Sequence, residues 1–321
     1  MRRLRLAAAA GIAIAVLVAA QNQNAAGGFA TRELNPMLQP LFLPSLLPLR
    51  SDNGWRIDHS VFVTNTFQQK RRGDESLIID VENYRYELDI SHRRNNWLTQ
   101  LNIPLVANRS GELDGLIEDW HDFFGLPQGK RDEFPADRIN IQYTRDGVVA
   151  YSQTESSSGV GDIAVSVGYQ DAGGTAYFIG IELPTGSAAE FTGNETVDLA
   201  FWITRDIRIN AKVNAFGMLG ISFPGDDGNL EALIVDQVWV AQLGLDYRFY
   251  DDFVATAQLD MHGETIEDSK LRAFRESYQL QLGLGFLKLF ENHRLDLFFS
   301  EDILVRSAPD ITFGLRLARE F

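Results

Sequence analysis

The sequence predicts an all-β fold: a twelve-stranded antiparallel transmembrane β-barrel with short periplasmic turns and longer extracellular loops. Three observations carry this reading. Apolar residues recur at every second position through a dozen segments, as in Ile163, Val165, Val167 and Tyr169, or Tyr278, Leu280, Leu282, Leu284 and Phe286. Each such segment has one greasy and one polar face if it is a strand. Short polar connections alternate with longer ones, the arrangement of a barrel with tight turns on one rim and loops on the other. No stretch after the first twenty residues approaches the roughly 18 to 20 apolar residues that a spanning helix needs.

The chain opens with Arg2, Arg3 and Arg5 ahead of an apolar run from Leu6 to Ala20, with Val18 and Ala20 at the usual spacing before a cut. Residues 1–20 therefore read as a secretory signal peptide that is removed on export. The chain carries 29 Lys and Arg against 44 Asp and Glu, a formal net charge of −15, and loss of the three leader arginines takes it to −18. That charge makes nucleic acid and anionic phospholipid poor partners. The expected partners are outer-membrane lipid, the barrel-assembly machinery and a small solute. With no cysteine, neither a disulfide framework nor a lipidated N-terminal Cys is available. A hydrophobic fraction of 45% with mean hydropathy −0.13 suits a soluble protein and a barrel equally, since only alternate strand residues face lipid.

Residues 21–54 form a Pro/Leu-rich N-terminal segment. Pro36, Pro40, Pro44 and Pro48 exclude a helix interior and a central strand. Between them Leu38, Leu41, Phe42, Leu43, Leu46, Leu47 and Leu49 require burial. A linker packed on the periplasmic rim and a plug entering the lumen both satisfy that requirement.

The barrel occupies 55–321, with strands expected at 55–67, 77–91, 96–106, 160–169, 176–184, 196–204, 207–222, 232–249, 253–262, 274–287, 294–302 and 310–321. The even count places both termini in the periplasm. Tight turns fall at Arg93–Asn96, Asp171–Gly174, Thr204–Asp206 and Tyr250–Asp252, and longer connections at 107–159, 185–195, 223–231 and 263–273. Trp97, Trp239, Tyr247, Phe249, Tyr250 and Phe253 gather near strand ends, where amphipathic rings sit at headgroup level. Within the 107–159 loop, Leu113, Leu116, Ile117, Trp120, Phe123 and Phe124 have helical spacing. A small hairpin is expected across Arg145-Asp146-Gly147.

The last segment, Asp310–Phe321, alternates Ile311, Phe313, Leu315, Leu317 and Phe321 with polar or small residues and ends on an aromatic. It resembles the closing strand of bacterial outer-membrane β-barrels, which implies that Phe321 acts as an assembly signal. Gly159-Val160-Gly161-Asp162 opens one strand and Glu182-Leu183-Pro184-Thr185-Gly186 closes the next. These strings are similar to the G-x-G-D and P-T-G patterns of Gram-negative barrels associated with phenol degradation and hydrophobic-compound uptake. Most of the mature chain resembles a domain of unknown function found in Gram-negative outer-membrane barrels. Physically, the glycines relax a strand end, and Pro184 stops pairing so that Gly186 can turn.

If the greasy faces meet lipid, the lumen receives Arg85, Glu87, Asp89, Asp198, Arg208, Lys212, Asp246, Arg248, Asp260, His262 and Arg316, with Asp236, Asp296 and Glu320 on the same face. Charges of both signs can neutralise one another in a lattice or select a solute at a constriction. Inward glycines at 168, 180, 244, 283, 285 and 314 leave space for water, a plug or a solute. Asp260-Met261-His262 with Glu264 is a conceivable acid/base pair, but no serine nucleophile in a suitable motif accompanies it. Glu118, His121 and Asp122 do not amount to a metal set, and no phosphate loop or dinucleotide fingerprint occurs. The expected function is a passive channel or uptake conduit for small solutes, without cofactor or metal. A structural surface barrel with a closed lumen and an outer-membrane hydrolase are the alternatives.

Overall fold

A computed structural model describes residues 27–39, 41–47, 49, 52–111, 115, 138–225, 233–290, 292–302 and 308–321. The leader and the helical spacing at 113–124, with Glu118, His121 and Asp122, lie outside the described residues. Fifteen strands form one antiparallel sheet: β1 (Gly54–Arg72), β2 (Glu75–Arg94), β3 (Trp97–Arg109), β4 (Asn140–Arg145), β5 (Val148–Gln153), β6 (Ser157–Val160), β7 (Ile163–Gln170), β8 (Thr175–Leu183), β9 (Asp198–Arg208), β10 (Val213–Phe223), β11 (Val238–Tyr250), β12 (Phe253–His262), β13 (Ser277–Phe290), β14 (His293–Asp302) and β15 (Ile311–Glu320). Consecutive strands pair from β7 round to β15, β15 pairs with β1, and the β2–β3 and β3–β7 ladders close the ring.

Twelve of these strands make the wall. β6 continues β7, because β3 pairs with β7 through 97–102 and with β6 through 105–108, leaving Gly161 and Asp162 as a break opposite Pro104. Proline has no N–H to give the ladder, which is why the break falls there. β1 and β2 run 19 and 20 residues, about twice what a tilted strand needs to cross the bilayer. Their projecting ends pair Ser76–Asp80 with β4. The β4–β5 hairpin turns at Asp146 and Gly147, with φ of 53° and 77°, which is why Asp-Gly suits this position.

Outward-facing Val165, Val167, Ile179, Ile181, Phe201, Leu284, Phe313 and Leu315 are exposed in a band, flanked on the short-turn rim by Trp55, Trp97, Tyr169, Tyr250 and Phe290. A large apolar surface of this kind belongs in lipid, with aromatic rings at its edge.

One expected turn is misplaced. β9 continues through Thr204–Asp206 to Arg208, and the turn occupies 209–212, closed by Ile209 N–H donating to Val213 O at 2.9 Å. Thr204 and Asp206 are polar because they face inward, where both are buried, rather than because the chain reverses there.

Candidate functional site in the barrel lumen

Of the eleven charged residues expected inside, Arg85, Glu87, Asp89, Asp198, Asp246, Asp260, His262 and Arg316 are inward-facing and buried. Arg208, Lys212 and Arg248 are exposed at the periplasmic ends of β9, β10 and β11. Lys212 lies within the relocated turn. Asp296 is buried beside them, whereas Asp236 and Glu320 are exposed.

Several of the buried charges are held by partners. Asp296 accepts from Arg294 at 2.8 Å and Arg316 at 2.7 Å, Arg56 binds Asp58 at 2.7 Å, and Arg85 binds Glu87 at 2.5 Å. Asp89 accepts from Gln100 at 2.7 Å and Asn102 at 2.9 Å. Such pairing is what makes charge tolerable inside the barrel, since removing one partner of a buried pair costs about 3–5 kcal/mol.

Three inward glycines make room for the wall's own rings, while Gly180 and Gly283 also border Phe42 and Phe29 of the N-terminal segment. A Cβ on Gly244 would strike the ring of Phe216, one on Gly168 the ring of Phe178, and one on Gly314 the ring of Phe298. The space expected for water, a plug or a solute is thus taken at these positions by aromatic rings, of the wall at Gly168, Gly244 and Gly314 and in part of the segment at Gly180 and Gly283. The wall rings share the inward register with the charges: Phe178, Trp202, Phe216 and Phe298 are all buried.

The N-terminal segment lies within the ring as a hairpin. Its first limb starts low, where Arg316 Nη2 donates to Gly28 O at 3.4 Å and Phe29 N–H donates to Gln258 Oε1 at 2.8 Å. It rises to Glu33, which accepts from Ser277 Oγ and lies 3.1 Å from His262 Nε2. A 3-10 turn at Pro36–Leu38, capped by the Asn35 side chain, reverses it. The second limb descends past Phe42, whose N–H donates to Asp198 Oδ2 at 3.0 Å and whose carbonyl accepts from Ser222 Oγ at 2.5 Å. Gln242 joins the limbs, accepting from Leu46 N–H and donating to Thr31 O, each at 2.6 Å. Side chains from the wall thereby supply partners that a proline-rich backbone cannot find in a sheet. Leu38, Leu41, Phe42, Leu43, Leu46 and Leu49 are buried against Phe178, Trp202, Phe216 and Met218. Each such leucine contributes about 1.5–3 kcal/mol relative to exposure.

The hairpin leans on β9–β15, and space remains on the β2–β3–β7–β8 side. One cavity there, about 560 Å³ with the open solvent space at its mouth included, lies between Arg32, Phe42 and Leu47 of the segment and Arg85, Asp89 and Glu182 of the wall. A second, of about 520 Å³, shares Leu47, Asp89 and Gln100 with it and reaches His92 and Arg93 near the periplasmic rim. Above the segment, Met37 packs with Leu77, Ile79, Tyr143, Tyr151, Phe191 and Phe274 of the extracellular elements. Tyr143 donates to Glu75 at 2.7 Å. Burial, with help from that carboxylate, pushes its phenol above the ordinary range.

The two glycine motifs meet. Asp162 accepts from Gly186 N–H at 2.7 Å and Asn194 N–H at 2.8 Å, and Thr185 Oγ1 donates to Gly161 O at 2.8 Å. They tie the 184–197 loop to the break between β6 and β7. His262 has both ring nitrogens engaged, Nδ1 with Gly263 O at 2.7 Å and Nε2 with Glu33. Asp260 accepts from Gln258 at 3.0 Å and from Gln281. Among the described residues no group of three or more metal-ligating side chains occurs.

The class these features define is a transmembrane β-barrel of the outer-membrane type with an occupied lumen. The chain belongs to the DUF3187 family, proteins of unknown function, whose pattern matches residues 7–321. No curated protein matches it. Among solved structures, the COG4313 outer membrane channel from Pseudomonas putida F1 superposes with a TM-score of 0.56 at 13% identity, over 85% of this chain and 97% of that one. The NanC porin gives 0.46 at 8% identity, over 83% of this chain and 100% of that one. The P. putida toluene transporter TodX gives 0.44 at 11% identity, over 89% and 92%. The first likeness shows a common fold.

Proposed function

We propose that this protein is a passive conduit for small, partly apolar solutes across the outer membrane, with residues 27–49 limiting flow, and that it has no enzymatic activity. In this reading residues 1–20 are removed on export and the barrel-assembly machinery inserts the remainder. The observation that carries it is the fit of the threaded hairpin. It fills one side of the lumen through Phe29, Phe42 and Leu46, yet leaves two adjoining cavities along β2 and β3. A wall built only for stability gains nothing from such space. Engagement of both His262 nitrogens supports a positioning role for it rather than acid/base work.

The test is conductance in planar bilayers, before and after deletion of residues 31–50. Small discrete steps from the full chain, enlarged severalfold by the deletion in a barrel that remains heat-modifiable, are the expected result. Leu41→Cys should also resist aqueous thiol reagents in the full chain. The apolar cluster over the extracellular mouth favours a second reading, a surface barrel with a closed lumen. Silence from the full chain together with exclusion of sugars in liposome swelling would establish that reading instead.

A further inference from the structure

We propose that the larger cavity is a binding site for a small amphipathic amine, an ammonium group on an apolar, preferably aromatic body. The proposal names the solute class of the conduit and rests on that reading. Glu182 of β8 is 5% exposed, lines the cavity, and its Oε2 has no hydrogen-bond partner. Buried polar atoms are almost always satisfied, so an orphan carboxylate oxygen on a side chain that lines a cavity points to a donor from outside the protein, reached by a small turn of the carboxylate. Trp202, 4% exposed and lining the same cavity, has an unpartnered indole Nε1.

The surroundings select the donor. The charged residues around the cavity are Glu87, Asp89 and Glu182 against Arg32 and Arg85. Arg85 is held by Glu87 at 2.5 Å, and Arg32 directs Nη1 to Leu41 O at 2.5 Å. The formal balance is one negative charge, which disfavours an anion and favours an ammonium. Trp202 and Phe42, which also line the cavity, stand edge to face with centroids 6.4 Å apart, and Leu47 adds to the apolar lining. An aromatic or branched body packs on that lining while its amine reaches Glu182, as few convergent polar groups in an apolar-walled pocket orient a ligand.

Calorimetry on the full chain in nanodiscs, with 2-phenylethylamine, 2-phenylethanol and phenylacetate as isosteric probes, tests this. The amine should bind at least tenfold more tightly than the alcohol or the acid. Glu182→Gln, which keeps the shape and one acceptor oxygen but removes the charge, should remove that advantage while leaving the alcohol within twofold. Equal binding of the three probes, a preference for phenylacetate, or an unchanged ranking in an assembled Glu182→Gln barrel would overturn the site. Should that variant not assemble, the ranking on the unsubstituted protein decides alone. Conductance without the amine preference refutes the site but not the conduit; the preference without conductance refutes the conduit but not the site.

Discussion

Glu33, on the threaded hairpin, lies 3.1 Å from His262 Nε2 at the extracellular end of β12, 229 positions away in sequence. The same carboxylate accepts from Ser277 at the start of β13, so one side chain fastens the first limb to two wall strands. Glu33→Ala leaves His262 Nε2 and the Ser277 hydroxyl buried without this partner, at about 1–3 kcal/mol each. The expected outcome is a barrel with a lower thermal midpoint and noisier, larger conductance steps. Gln242→Ala, which releases both limbs, should do the same. Unchanged noise and midpoint in both variants would mean the limbs are held by apolar packing alone.

Gly314 and Phe298 pair across β14 and β15, and the ring lies where a Cβ on Gly314 would go. Gly314→Val should therefore destabilise the barrel by about 1–3 kcal/mol, the usual range for overpacking. The measurement is the urea midpoint of the heat-modifiable band. Phe298→Leu in the same chain should restore much of the loss, and failure of that rescue would argue against the ring as the obstacle.

Asp162 holds the extracellular loop 184–197 through the Gly186 and Asn194 amides. Asp162→Ala leaves these donors unpaired and should make the loop a site of rapid proteolysis while the wall strands stay protected. Digestion followed by mass spectrometry reads the cut positions. A cleavage pattern identical to that of the unsubstituted protein would remove the motif's proposed anchoring role.

Phe321 donates its N–H to Trp55 O at 2.9 Å, and its exposed ring lies 4.6 Å from Arg319 Cζ. We propose, on the resemblance of the final strand to barrel-closing strands, that Phe321 has a part in assembly beyond these contacts. Deletion of Phe321 should reduce the heat-modifiable fraction in outer membranes several-fold while purified protein still refolds in detergent. Equal loss in both settings would point to closure of the β1–β15 seam instead.

The wall was legible from the sequence because lipid imposes a strict rule on it. A strand between bilayer and lumen must alternate, and Val165, Val167 and Ile179, Ile181 display that period without reference to any neighbour. The Asp-Gly turn of the β4–β5 hairpin was readable for a similarly local reason, a backbone that few residues tolerate. Where polarity has two causes the pattern is ambiguous: Thr204 and Asp206 suit a turn and an inward face equally, and only the register of β9 against β8 and β10 separates them.

The contents of the lumen were decided by tertiary structure. Sequence alone determined that the leucines between Pro36 and Pro48 need burial and that inward glycines leave gaps, but not which surfaces satisfy either. Phe216 reaches Gly244 on β11, Asp198 reaches the Phe42 amide 156 positions away, and Glu182 is left with an oxygen that nothing in the described chain satisfies. These are pairings between residues remote in sequence. Periodicity along one strand fixes which way a side chain points, and only closure of the ring fixes what it meets.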